Sequence, residues 1–204
     1  MNSLNPLRPK RRLASLNECK IDLATELPIM FKAFQNAVTL YEKEITLTPP
    51  ESRARAFEAS LLNSKMIQSI QTFFPNNWKF GKYKRFLLNV QGYTVLFKKL
   101  NNKDMPMNIT TSHSDAIMNQ YQTSLFNNHS FSINPILFFG YKKDKFGNIQ
   151  NPKLVYIDED QVKWTIDNYF IKNLENAKTL NTSTTEKASP KLKQGSEKKT
   201  GTSK

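Results

Sequence analysis

Cysteine is nearly absent from this chain of 204 residues; Cys19 is the only one. No disulfide can close within the chain, no disulfide-linked partner is expected, and a zinc site built on several cysteines is excluded. A reducing, cytoplasmic compartment fits that usage. Glycine is scarce too, with six residues and none of the glycine-rich loops that cradle dinucleotides or nucleoside triphosphates. Histidine occurs only at His113 and His129, in polar segments and without the helical spacing of metal ligands. No apolar run approaches the roughly 18–20 residues needed to cross a bilayer, so no membrane partner is expected. The N-terminus has cations but no apolar stretch behind them, which argues against a signal peptide.

Aromatic residues are missing from both ends. All fourteen Phe and seven Tyr fall between residues 31 and 170, and a core is expected there. The ends are instead cationic. Of a net charge of +13, residues 1–12 contribute Arg8, Lys10, Arg11 and Arg12 with no acid, and residues 178–204 contribute seven lysines against two glutamates. This divides the chain into a flexible basic segment over 1–18, a single domain over 19–177 and a disordered Lys/Ser/Thr-rich tail over 178–204. The Pro9-Lys10-Arg11-Arg12 run also has the composition of a nuclear import signal, a pattern common by chance. The Asn- and Lys-rich composition is of a kind found in bacterial and phage proteins from AT-rich genomes.

What is present most clearly is a β-hairpin. Lys84-Arg-Phe-Leu-Leu-Asn-Val90 and Tyr93-Thr-Val-Leu-Phe-Lys-Lys-Leu100 flank Gln91-Gly92, a two-residue turn with glycine. Phe86, Leu88 and Val90 alternate onto one face, as do Tyr93, Val95 and Phe97. A second hairpin is predicted from Pro135 to Ile157, with strands Ile136–Tyr141 and Lys153–Ile157 and Gly147-Asn148 in the turn. A last short strand is predicted over Val162–Ile166. Before the first hairpin, Leu23, Leu27, Met30, Phe34, Ala37, Val38 and Tyr41 recur at helical steps, interrupted by Pro28. Thr48-Pro49-Pro50-Glu51 reads as the start of a helix running to about Phe74, with Thr48 as its cap. Ser112 to Phe126 reads as a short capped helix. The fold class is α+β: N-terminal helices packed on a small, mainly antiparallel sheet built from two β-hairpins, with basic ends. Strand order is not readable from the sequence.

Three groups of residues carry possible chemistry. Trp78-Lys79-Phe80-Gly81-Lys82-Tyr83-Lys84-Arg85 interleaves rings with cations, the pairing by which single-stranded nucleic acids are stacked and their phosphates tracked. Trp78, Lys79, Lys82, Tyr83, Lys84 and Arg85 are thus the candidate nucleic-acid contacts, although a strand with one buried and one solvated face shows the same alternation. Asp158-Glu159-Asp160 at a strand end, with Lys163 nearby, could hold magnesium in a nuclease or phosphodiesterase through Asp158 and Asp160. The neighbouring strand offers no second carboxylate, and Asp144 falls in the loop beyond it. Cys19 is a candidate thiol, and His113-Ser114-Asp115 has triad residue types, which adjacency alone does not assemble.

The reading that follows is a non-enzymatic, cytosolic binding protein acting on nucleic acid or on a nucleic-acid-associated partner. It needs no cofactor. The alternatives are the magnesium-dependent nuclease and a protein–protein regulator with solubilising basic ends. DNA and RNA are not distinguished.

Overall fold

The computed structural model describes residues 12–81, 84–109, 118–120 and 134–170. Helices α1 (Leu16–Asp22), α2 (Glu26–Ile45) and α3 (Phe57–Phe73) precede a six-stranded sheet. Its strands are β1 (Trp78–Phe80), β2 (Phe86–Val90), β3 (Tyr93–Lys99), β4 (Ile136–Lys143), β5 (Ile149–Asp158) and β6 (Gln161–Asp167), side by side in chain order. Every neighbouring pair is antiparallel except β3 and β4, which run parallel. The α+β reading holds, and so does the mainly antiparallel sheet. No described helix is long and apolar enough to cross a membrane.

The sequence dictates the hairpins through their turns. Gln91 and Gly92 both take positive φ, 46° and 76°, as the two-residue connection of twisted strands requires. Val90 then pairs with Tyr93, Asn89 with Thr94 and Leu88 with Val95. In the second hairpin Asp144 accepts hydrogen bonds from the amides of Phe146 and Asn148, both 2.8 Å, and Gly147 takes φ 93°. Asp144 is thereby committed to the turn.

One face of the sheet carries the helices. α2 buries Leu27, Met30, Phe34, Ala37, Val38 and Tyr41, the stripe its spacing predicts, and Phe31 beside them. Pro28 falls inside the first turn, where it breaks no helical hydrogen bond. Small residues let α3 approach α2: Ala33, Ala37 and Ser69 are fully buried, and the Ser69 hydroxyl donates to the Ala33 carbonyl at 2.6 Å. The sheet contributes Leu88, Val95, Leu137, Phe139, Leu154 and Ile166 to this core. Residues 12–22 pack here as well. Trp164 Nε1 donates to the Ala14 carbonyl at 2.9 Å, and the Tyr93 hydroxyl donates to Asp22 at 2.8 Å. α1 therefore begins inside the stretch read as a flexible segment over 1–18.

The start of α3 differs from the sequence reading. Pro50–Ser52 forms a single 3₁₀ turn, no side chain caps it, and α3 begins only at Phe57. Arg53 explains the delay. Its Nε donates to the Thr48 carbonyl and its Nη2 to the Ile45 carbonyl, both 3.0 Å, which closes the C-terminus of α2 and holds Arg53 extended.

The opposite face is also buried. Leu87, Leu96, Ile136, Phe138, Val155 and Ile157 form a second core with Leu100 and Met118. Met105 and Ile109, from the described part of the connection that parallel neighbours require between β3 and β4, pack against it. Leu100 sits against Gly140, where any Cβ would collide with its side chain. Gln120 is buried at the end of the sheet. Its Nε2 donates to the carbonyls of Ile136 (3.1 Å) and Ile157 (2.7 Å), and its Oε1 accepts from the Ile136 amide at 2.7 Å. Most of the helix read over Ser112–Phe126, both histidines and residues 178–204 lie outside the described residues.

Candidate nucleic-acid interface

β1 is the edge strand, and its alternation splits the candidate patch between two faces. Trp78 pairs with Leu88 and Phe80 with Phe86, so both rings lie on the helix side. Trp78 stacks on Phe86 at 6.0 Å and meets Phe80 edge-on at 5.7 Å. These rings continue inward through Phe97 to Phe139, which α2 covers with Phe31 and Phe34. Trp78 is half-buried in that row, whereas Phe80 is 49% exposed at the margin.

Lys79 pairs with Leu87 and so belongs to the other face. Lys98 shares that face, two residues beyond the buried Leu96. Arg85 lies close enough to Lys98 to lower its pKa, after the larger effect of burial. Burial likewise lowers Lys79 and Arg85. The structure therefore sets Arg85 beside Lys98, a residue near the end of the second hairpin strand, and places Lys79 on the same face. No described acid forms a salt bridge with Arg85 or Lys98. This contrasts with Lys142 and Lys153 on the neighbouring strands, which share Asp104 at 2.9 and 3.2 Å. Two partly desolvated like charges held together make a favourable place for an anion. Lys84 is exposed, with φ 54°, in the connection between β1 and β2; Lys82 and Tyr83 lie outside the described residues. The Gly81 amide donates to the Arg85 carbonyl at 2.7 Å and closes that connection.

The acidic candidates lie elsewhere. Glu159 and Asp160 take φ 52° and 55° and form the two-residue turn between β5 and β6, near the far edge of the sheet from β1. Asp158 is buried, 5% exposed, at the end of β5. Lys163 forms an ion pair with Glu159 at 2.8 Å. Among the described residues no group of three or more His, Cys, Asp or Glu is placed to hold a metal ion. Cys19 is fully buried, and burial followed by the nearby Asp22 pushes its thiol up to about 12, so it is not an accessible thiolate.

A cleft of about 390 Å³ opens where β3 and β4 end beneath the start of α3. Arg53, Arg55, Lys99 and Lys143 line it with Glu58 and the hydroxyl-bearing rings of Tyr41 and Tyr141. Sequence reasoning missed this site because its residues come from four distant stretches. The signal available was that both Lys98-Lys99 and Lys142-Lys143 close apolar strands with paired lysines.

No protein-family model matches the chain, and no curated protein and no solved structure matches it either.

Proposed function

We propose that this chain is a non-enzymatic, cytosolic protein that binds nucleic acid along the β1–β3 margin of its sheet. The observation that carries the reading is the Arg85–Lys98 pair: two neighbouring cations, partly desolvated, with no salt bridge to a described acid. Lys79 extends the cationic surface, and the exposed Phe80 ring offers a base a stacking surface around the thin edge strand. Lys84 stands exposed in the connection between β1 and β2. The cation-rich ends of the chain add attraction that does not depend on sequence. The single, buried cysteine supports the cytosolic assignment.

Fluorescence anisotropy with labelled oligonucleotides over a range of salt tests this reading. Arg85→Ala with Lys98→Ala should weaken binding and lower the salt slope by about 0.7 per lost contact for a single strand, or about 0.9 for a duplex. The same pair should be compared after deletion of residues 178–204, because that tail can bind polyanions by itself. A folded double mutant that binds like wild type in the shortened chain would refute the interface. Binding by no variant even at low salt would leave the protein-partner reading in its place.

A further inference from the structure

The cleft at the ends of β3 and β4 has a composition unlike that of an ordinary surface groove. Four cations face a single carboxylate. Glu58 is already occupied: Lys143 Nζ lies 2.6 Å from its Oε2, Arg53 Nη1 lies 3.4 Å from its Oε1, and Tyr41 also hydrogen-bonds it. Arg53 is fixed further by its two bonds to the carbonyls at the end of α2. Neither Arg55 nor Lys99 forms an ion pair with a described acid.

We propose that this cleft binds a small dianion of the phosphomonoester class, with Lys99 and Arg55 as its principal contacts and Lys143 as a third. Several features suit that ligand. The volume falls within the range of small-molecule sites, about 300–1,000 Å³. Glu58 and Ala59 belong to the first turn of α3, so the positive end of that helix faces the same space. Burial raises Tyr141 to about 12, so its hydroxyl remains a donor across the neutral range. Leu62, Ala59 and Pro50 give part of the wall an apolar character that an organic substituent can cover. Lys99 and Lys98 are consecutive in an extended strand and point to opposite faces, so this site is separate from the proposed nucleic-acid margin.

Isothermal titration calorimetry of the full chain with inorganic phosphate, adenosine monophosphate and adenosine tests the proposal. Saturable one-to-one binding of the two phosphates, and none of adenosine, is expected. Lys99→Ala and Arg55→Ala should each weaken it about tenfold, the usual scale of one lost charge-assisted contact. Glu58→Gln should tighten it, because Lys143 and Arg53 then lose the carboxylate that competes for them. Arg85→Ala with Lys98→Ala should leave phosphate affinity within about twofold while weakening oligonucleotides, so each proposal can fail alone. Tighter binding of the nucleotide than of phosphate would make an organic phosphomonoester the ligand; equal binding would make it inorganic phosphate. No saturable binding by wild type, or binding unchanged in folded Lys99→Ala and Arg55→Ala, would overturn the site. Thermal melts establish folding, and the exposed position of Arg55 keeps that variant informative if Glu58→Gln does not fold.

Discussion

The two faces of the sheet are made by the same strands and closed in different ways. Three helices cover one, and their apolar spacing matches the alternation of the strands beneath. Against the other pack the described residues of the β3–β4 connection, with Leu100 set over Gly140 and the buried Gln120 amide at the sheet end. A helical layer satisfies its own backbone and needs only an apolar stripe to dock. Where a strand end meets the connection, backbone groups need partners from elsewhere, and one side chain supplies three of them. The second face also carries Arg85 and Lys98, neither of which forms a salt bridge with a described acid. The helical face is thus mostly packing, with cations gathered only at its margin, where β3 and β4 end beneath α3. The second combines a smaller core with Arg85 and Lys98, the charges proposed to meet nucleic acid.

The largest effect should come from the packed face. Phe139 is fully buried and lies within ring contact of Phe31, Phe34 and Phe97. Phe139→Ala should destabilise by about 3–5 kcal/mol, read from urea unfolding. Phe97→Ala should cost less, because Phe97 is only partly buried on that face. Equal losses would mean that the aromatic row is covered as fully near β1 as it is beneath α2.

The second face should break at Gln120. Gln120→Ala leaves an amide and two carbonyls without this partner, and the cost should be about 2–4 kcal/mol. Gln120→Glu keeps the shape and the acceptor but replaces the donor, so it should remain destabilising. A near-neutral Gln120→Ala would show that water readily takes the place of the side chain, and that this end of the sheet is not closed by the amide.

That contrast also marks what was legible. The two hairpins, their turns and the buried stripe of α2 are local, because each is set by residues a few positions apart. The parallel pairing of β3 and β4 is not local, since it joins segments separated by a long connection. The run Ile136-Leu137-Phe138-Phe139 did hint that both faces are covered, because continuous apolar strands are buried on both sides. The start of α3 was misplaced because Arg53 acts on carbonyls at the end of the preceding helix, an interaction that capping patterns do not encode. The ring and cation alternation was legible, but only pairing with β2 separates Trp78 from Lys79 and brings Lys98 beside Arg85.

Smaller effects should come from the carboxylates that tie each face to its cover. Glu58 joins α3 to β4, and its pKa is lowered chiefly by the hydrogen bond from Lys143. Asp104 joins the turn after β3 to Lys142 and Lys153; burial would raise its pKa, but those two lysines bring it below the ordinary value. Both groups bind fewer protons folded than unfolded around pH 4. Their contribution is therefore complete above the usual carboxylate range and is lost as pH falls through the lower folded values. Asp104→Asn should cost about 1 kcal/mol at neutral pH, and Glu58→Gln less, because Glu58 is more exposed and better screened. Melting curves from pH 7 to pH 3 should flatten in both variants. Unchanged pH profiles would sever these ion pairs from stability.

The smallest effect has the opposite sign. Lys98 has its pKa lowered by burial and then by Arg85, so the folded state disfavours its charge. A lysine with a depressed folded pKa binds fewer protons folded than unfolded as the solution becomes alkaline. Stability attributable to it should rise with pH through the range just below the ordinary lysine value of about 10.4. Lys98→Met keeps the aliphatic stem over the second core and removes the repulsion from Arg85. It should therefore stabilise the fold by a few tenths of a kcal/mol up to about 1 kcal/mol, and remove that part of the alkaline rise. The same substitution should weaken oligonucleotide binding. A gain in stability joined to a loss of binding is the expected mark of a charge retained for a ligand. If Lys98→Met instead lowers the melting temperature with binding unaffected, Lys98 serves the packing of the second face, and the difference between the two faces is one of architecture alone.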